Sequence, residues 1–98
     1  MKEQFVTYEI ALILKEKGFN ELCLGVYKTF GQFTLSKTEY IRDMVCTAPL
    51  WQQAINWLKS KRVLLIEDWY GWTVWEFNKG KVFFKNKIEA FNYALTKI

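Results

Sequence analysis

Residues 63–84, VLLIEDWYGWTVWEFNKGKVFF, decide the fold of this chain. Three runs rich in β-branched and aromatic residues are separated at 70–71 and at 78–81, where glycine and asparagine are typical of turns. The predicted strands are 63–69, 72–77 and a short third strand, 82–84. The segment therefore predicts an antiparallel β-hairpin that a third strand extends.

Both faces of this predicted hairpin are apolar. Val63 and Leu65 point to one side, while Leu64 and Ile66 point to the other, because side chains alternate along a strand. An antiparallel sheet with one wet face usually carries polar residues at every second position. Three explanations stay open: the third helix crosses to cover the far face in a three-layer sandwich, the far face contacts a second copy or another protein, or it forms an aromatic-lined ligand groove.

Helical periodicity predicts three helices along the chain. The first, 8–17, begins after Thr7, and the second begins after Thr47 with Pro49 in its first turn. Asn86 caps the third helix. The inward residues predicted for this last helix are Ile88, Phe91, Leu95 and Ile98.

Two further strands are predicted at 22–28 and 33–36, and 37–46 is interpreted as a polar connecting loop. The order is helix, hairpin, helix, hairpin with a short extra strand, helix. Consecutive hairpins form antiparallel sheets that helices must cover, so we expect an α+β fold of two layers. A chain of 98 residues is expected to form a single domain, 1–98.

The composition argues against catalysis. The chain has no histidine, its five glycines do not form a phosphate-binding loop, and Cys23 and Cys46 have no partner base, so we expect no enzyme activity, metal or cofactor. Cys23 falls within a predicted strand. The longest apolar run, 10–14, is too short to span a membrane, and the first residues do not resemble a signal peptide. We therefore expect a cytoplasmic protein whose cysteines stay as thiols.

The leading functional hypothesis is a non-enzymatic protein-interaction module or homodimer that uses the aromatic second hairpin. Exposed aromatic residues are enriched at protein contacts, and tryptophan and tyrosine carry much of the binding energy there. The candidate contact residues are Trp69, Tyr70, Trp72 and Trp75.

The alternative hypothesis is a nucleic-acid-binding protein. The net charge is +4, and basic residues cluster at the end of the second helix and around the last turn. The candidate phosphate contacts are Lys59, Lys61, Arg62, Lys79, Lys81 and Lys85. A third hypothesis is an aromatic-lined pocket for a small ligand.

Two segments, FVTYEIALILKEKGF at 5–19 and CTAPLWQQAINWLKSK at 46–61, resemble a group of small uncharacterised proteins of gut Bacteroidetes and their phages or prophages. The resemblance covers about two thirds of the chain and brings no substrate, cofactor or catalytic residue with it. It implies a bacterial cytoplasmic setting, a mobile-element origin and a role in binding a host or phage macromolecule.

Overall fold

The structure is a computed structural model that describes residues 2–35 and 44–98. Over these residues the chain has three α-helices and two three-stranded antiparallel sheets in mixed order, which confirms the predicted α+β class. The chain divides into two compact units, Met1–Ala54 and Ile55–Ile98, and each unit contains one of the sheets.

The elements follow one another in a helix, three strands, a helix, three strands and a helix. The first unit contains α1 (Tyr8–Glu16), β1 (Gly25–Lys28), β2 (Phe33–Leu35) and β3 (Met44–Ala48), with short 3₁₀ turns at Lys2–Gln4 and Thr29–Gly31. α2 (Trp51–Ser60) begins in the first unit and ends in the second. The second unit continues with β4 (Val63–Asp68), β5 (Gly71–Glu76), β6 (Gly80–Phe84) and α3 (Lys87–Leu95).

α1 begins at the predicted residue, Tyr8, and ends at Glu16, one residue before the predicted end. The Thr7 side chain accepts a hydrogen bond from the Ile10 amide at 3.3 Å, which satisfies one of the unpaired N–H groups of the first turn. After the last turn, Gly18 adopts φ +98°, a conformation that glycine enters without steric cost. Ile10 and Leu14 are fully buried and contribute to the core of this unit.

β1 is the central strand of the first sheet, in the order β2-β1-β3. Val26 pairs with Thr34 on one side and with Thr47 on the other, both antiparallel. Val26 and Tyr27 are both buried, so both faces of this short strand are covered. The Tyr27 hydroxyl donates a hydrogen bond of 2.6 Å to the Val6 carbonyl, which satisfies a polar group inside the core.

The prediction of a connecting loop at 37–46 is wrong at its end, because Met44–Ala48 forms β3. Within that strand the buried residues Cys46 and Ala48 alternate with more exposed neighbours. This is the two-residue period of a strand, but five residues are too few for the pattern to stand out in a polar region. The rest of the predicted loop, 37–43, lies outside the described residues.

The predicted start of the second helix is also wrong. Thr47 belongs to β3, where it pairs with Val26, and it does not cap α2, which begins at Trp51. Pro49 precedes the helix instead of lying in its first turn. Ala48 directly precedes Pro49 and is therefore biased away from the helical region, which favours an extended conformation at the end of β3.

The first predicted strand is shorter than expected. β1 begins at Gly25, so Leu22, Cys23 and Leu24 lie outside it, and both leucines are exposed. In the described residues no neighbouring strand pairs with residues 22–24. Their contribution to the core is therefore small.

The second sheet confirms the hairpin with its third strand. β4 pairs with β5 and β5 pairs with β6, each antiparallel, with β5 in the centre. The third strand is longer than predicted and begins at Gly80, whose φ of +98° allows the chain to reverse direction. Every strand of this sheet therefore pairs with its neighbour in the sequence.

α3 begins at the predicted cap. The Asn86 side chain accepts hydrogen bonds from the amides of Ile88 and Glu89 at 2.7 and 3.2 Å. The predicted inward stripe is correct at Phe91 and Leu95, which are fully buried, but wrong at Ile88, which is exposed. Ile98, also predicted inward, is only partly buried and lies beyond the helix, while the small residues Ala90 and Ala94 complete the buried face.

Candidate interaction surface

α3 covers one face of the second sheet. It contacts all three strands, and the ring of Tyr93 lies 5.3 Å from the ring of Phe84 at the edge of the sheet. Val63, Leu65 and Val74 are buried on this face. The alternation of the sequence correctly separates this face from the one that carries Leu64 and Ile66.

The opposite face of the same sheet is exposed. Strand pairing places Leu64 beside Trp75 and Lys81 in one row, and Ile66 beside Thr73 and Phe83 in the next. Trp75 and Phe83 remain 39% and 59% exposed. The apolar and aromatic residues of this face, which we call the outer face, are Leu64, Ile66, Tyr70, Trp75, Phe77 and Phe83. The explanation in which the third helix crosses to cover this face is therefore wrong.

Thr73 lies at the centre of the outer face and is nevertheless only 4% exposed. Its cross-strand neighbours Ile66 and Phe83 flank it on both sides, and large side chains beside a small one close over it. The exposed rings are thus in contact with a packed layer, which makes the outer face a continuous surface and not a row of isolated side chains.

Aromatic contacts continue from the outer face to the turn between β4 and β5. The Tyr70 ring lies 5.8 Å from Phe83 and 5.2 Å from Trp69, and the latter pair meets edge to face. Trp69 is 94% exposed. Trp69, Tyr70 and Trp75, three of the four candidate contact residues, therefore belong to one region.

Trp72 does not belong to that region. It pairs with Glu67 and Phe84, which puts it on the face that α3 covers, and it is partly buried. The structure thus separates Trp72 from the other three candidate contact residues. Two aromatic residues of the outer face, Phe77 and Phe83, were not named from the sequence, although their two-residue spacing from Trp75 and from Lys81 would have identified them.

A basic groove lies at the end of the outer face farthest from the turn. Lys59 and Arg62 line it together with Leu64, Trp75 and Phe77, and its volume is about 440 Å³. The Arg62 guanidinium lies 5.6 Å from the centre of the Phe77 ring, within the range of a cation–π contact. A second groove of about 310 Å³ lies on the other side of Trp75, where Asp68 and Lys81 are in its lining.

The six candidate cations do not converge. Lys59, Arg62 and Lys81 line the outer face, as described above. The ammonium group of Lys61 lies over the ring of Trp57 at 5.3 Å, and that of Lys79 pairs with Glu76 at 3.6 Å. Lys85 is exposed after the end of β6.

The two cysteines are free thiols of low reactivity. Cys46 is buried in β3, and Cys23 is half-buried ahead of β1 instead of within a strand as predicted. Burial raises the pKa of both thiols above the ordinary value, so both are protonated near neutral pH. A protonated thiol is a poor nucleophile.

The described residues include no helix long and apolar enough to cross a membrane, and no group of three acidic or cysteine side chains placed to hold a metal ion. The resemblance of the first two helices to small proteins of gut Bacteroidetes and their phages stays a prediction. Comparison of the chain with protein families, with curated proteins and with solved structures finds no match.

Proposed function

We propose that this protein is a non-enzymatic interaction module and that the outer face binds a second copy of the same chain. The observation that carries the proposal is the exposed area. Four aromatic residues and Ile66 are each about half exposed there, which amounts to on the order of 500 Å² of apolar surface. That is the upper end of what a monomer usually exposes.

The size of the surface suits a dimer. Trp69 extends the apolar area at the turn, and the flanking charged residues add to it, so the total approaches the roughly 800 Å² that each partner buries in a stable complex. Trp75 lies between the two grooves of the outer face and is the residue best placed to act as an anchor.

The charges of the outer face favour self-association in one orientation. Asp68 lies near the turn, whereas Lys59 and Arg62 lie at the opposite end. A two-fold axis running across the strands places the acidic end of each copy against the basic end of the other. This antiparallel arrangement brings opposite charges together and so attracts the two copies to each other. It disfavours the parallel arrangement, in which like charges would meet.

Light scattering coupled to gel filtration between about 1 and 200 µM tests this proposal, since a dimer dissociates on dilution. We expect twice the chain mass of 11.7 kDa at high concentration. Phe83→Glu should weaken the dimer at least about 30-fold, the equivalent of about 2 kcal/mol. Leu22→Glu, which changes an equally apolar residue that is 93% exposed in the first unit, is the matched control and should dimerise normally.

Two results would contradict the dimer. One is a wild-type protein that stays monomeric across the whole range of concentration, and the other is a Phe83→Glu variant that dimerises as the wild type does. Trp75→Glu distinguishes a contact residue from a core residue. If the wild type is monomeric and this change lowers the melting temperature, Trp75 is a core residue only.

A second candidate is the binding of single-stranded nucleic acid by the same face. The basic groove favours it, because Lys59 and Arg62 lie beside the rings of Trp75 and Phe77, and single-strand binding combines phosphate contacts with base stacking. Nucleic-acid binding would also fit the role that the sequence resemblance implies, which is the binding of a host or phage macromolecule.

Fluorescence anisotropy with labelled single-stranded DNA and RNA at low salt tests this candidate. Lys59→Gln with Arg62→Gln should weaken binding and lower the salt dependence by about two phosphate contacts. Lys79→Gln is the control, since that lysine already pairs with Glu76. If neither polymer binds at low salt, where phosphate contacts are strongest, nucleic-acid binding is refuted.

A further inference from the structure

The first unit contains an aromatic cavity that is separate from the outer face. Its volume is about 530 Å³, which is within the range of sites that hold small ligands. It lies between the start of α1, the 3₁₀ turn after β1 and the start of α2. Its lining has five aromatic residues, Phe5, Tyr8, Tyr27, Phe30 and Trp51, and includes the carboxylates of Glu3 and Glu9.

The walls of this cavity are held in place by the fold. The rings of Tyr8 and Tyr27 meet edge to face, with centres 5.3 Å apart and planes at 61°. The Trp51 indole N–H donates a hydrogen bond of 2.9 Å to the Glu3 carbonyl, and the Tyr27 hydroxyl donates one to the Val6 carbonyl. The polar groups of Trp51 and Tyr27 are thus engaged with backbone carbonyls, so these two rings present chiefly carbon to the cavity.

Phe30 has a backbone conformation that the turn between β1 and β2 uses but that does not favour phenylalanine. It lies at the edge of the cavity with φ +65°, in the left-handed region, and its side chain is 95% exposed. A non-glycine residue costs about 1–2 kcal/mol there, and asparagine or glycine would be cheaper. Gly31 follows with φ +76°, and the Lys28 amide bonds the Gln32 carbonyl at 2.7 Å to close the turn. An exposed phenylalanine gains no burial to offset that strain, so a ligand contact is the explanation we favour.

The charge of the cavity selects the ligand. Its described lining includes the two carboxylates and no basic side chain. Burial, with smaller contributions from Cys46 and Glu9, raises the pKa of Tyr27, so this wall stays neutral. Aromatic faces carry partial negative charge and attract cations, and carboxylates at the edge add to the attraction.

The kind of cation follows from the position of the acceptors. The rings present chiefly carbon, the Glu3 and Glu9 carboxylates are exposed, and the Thr7 hydroxyl already accepts a hydrogen bond from the Ile10 amide. A lysine ammonium that enters such a cavity loses water from its N–H groups, and that loss is costly unless each N–H finds a new partner. A trimethylammonium group has no N–H, and its methyl groups pack against rings. We propose that the cavity binds a trimethylammonium group, supplied either by a small choline-type molecule or by a trimethylated lysine of another protein.

Calorimetric titration of the full chain tests the proposal with two pairs of probes. The first pair is choline and its neutral isostere, in which carbon replaces the nitrogen. The second pair is a peptide that carries trimethyllysine and the same peptide without the methyl groups. We expect binding of choline or of the methylated peptide, at least about tenfold tighter than that of its neutral or unmethylated counterpart. Choline alone would assign the site to small molecules, and the methylated peptide alone would assign it to a protein partner.

Substitution identifies the cavity as the binding site. Phe30→Ala should weaken binding at least about fivefold, the effect of removing one ring from a cation. This change leaves the core intact, since the side chain is exposed, and circular dichroism checks that the fold is kept. Glu9→Gln should weaken binding about two- to fivefold and make it less sensitive to salt. Leu22→Ala, which removes a similarly exposed apolar side chain away from the cavity, should bind as the wild type does.

Three results would overturn the proposal. The first is equal affinity for choline and its neutral isostere, which would make the cavity merely apolar. The second is the absence of binding for both trimethylammonium probes at millimolar concentration. The third is a Phe30→Ala variant, folded as the wild type, that binds the probes with unchanged affinity.

Discussion

Replacement of Gly71 by alanine should destabilise the second unit far more than replacement of Gly80. Both glycines have positive φ, +143° and +98°, so alanine is strained at either position. The difference is steric. A Cβ atom at Gly71 would lie 2.4 Å from the carbonyl oxygen of Phe84 and 3.1 Å from the Cα of Lys85, whereas a Cβ at Gly80 meets nothing within 4 Å.

The magnitudes follow from these contacts. At Gly80 the backbone strain alone is about 1–2 kcal/mol, and the lower entropy of the unfolded chain offsets part of it. At Gly71 the φ value costs about 1–3 kcal/mol. The clash is with backbone, which cannot rotate away, so β5 and β6 must separate where Trp72 pairs with Phe84. Each lost ladder bond adds about 0.5–1.5 kcal/mol, which gives a total of about 2–4 kcal/mol.

Urea denaturation followed by tryptophan fluorescence and circular dichroism measures both variants against the wild type. A chain of this length has a free energy of unfolding of about 5–15 kcal/mol, so Gly71→Ala should lower the urea midpoint strongly and Gly80→Ala only slightly. Equal losses in the two variants would show that strain at φ is the whole effect. The reasoning from the close approach of β5 and β6 would then be refuted.

Three smaller predictions concern α3 and the buried thiol. Phe91→Ala should cost about 3–5 kcal/mol in thermal or urea unfolding because the ring is fully buried, whereas Ile88→Ala, on the exposed side, should cost less than about 1 kcal/mol. Asn86→Ala should cost about 1 kcal/mol by the same assay, since it removes the acceptor of two amide bonds, and no measurable loss would contradict the cap. Burial raises the pKa of Cys46, so the folded state keeps the thiol proton at a pH where the unfolded chain has lost it. This contribution to the free energy of unfolding is fully present below about pH 9, the ordinary thiol value, and is lost as pH rises through the raised pKa. The urea midpoint of the wild type should therefore fall more steeply than that of Cys46→Ala between about pH 8 and pH 10.

The α+β class and most elements could be predicted because they follow from local rules. Caps such as Thr7 and Asn86 precede periodic segments, and the alternation in 63–69 assigns Leu65 and Ile66 to opposite faces, as the structure confirms. Local rules failed at Met44–Ala48, since a short strand is identified by its partner and not by its own pattern.

The functional surfaces were only partly predictable. The exposure of Trp75 follows from the excess of apolar residues in one hairpin, but the sequence alone did not show which face α3 would cover. The aromatic cavity could not be predicted, because its walls come from positions as distant as Tyr8 and Trp51. Phe30 gave no signal in the sequence, since its unusual backbone conformation is visible only in the structure.

The pairing order of the two sheets has a consequence for how the chain reaches its native state. In the second unit each strand pairs with the next, so closing each loop costs little conformational entropy, and we expect this meander to form early. The first unit is closed by the bridge between Phe5 and Leu50 and by the bond from the Val6 amide to the Pro49 carbonyl, which join opposite ends of the unit. Pairing between residues so far apart in the sequence slows folding. The first unit should therefore set the overall rate of folding.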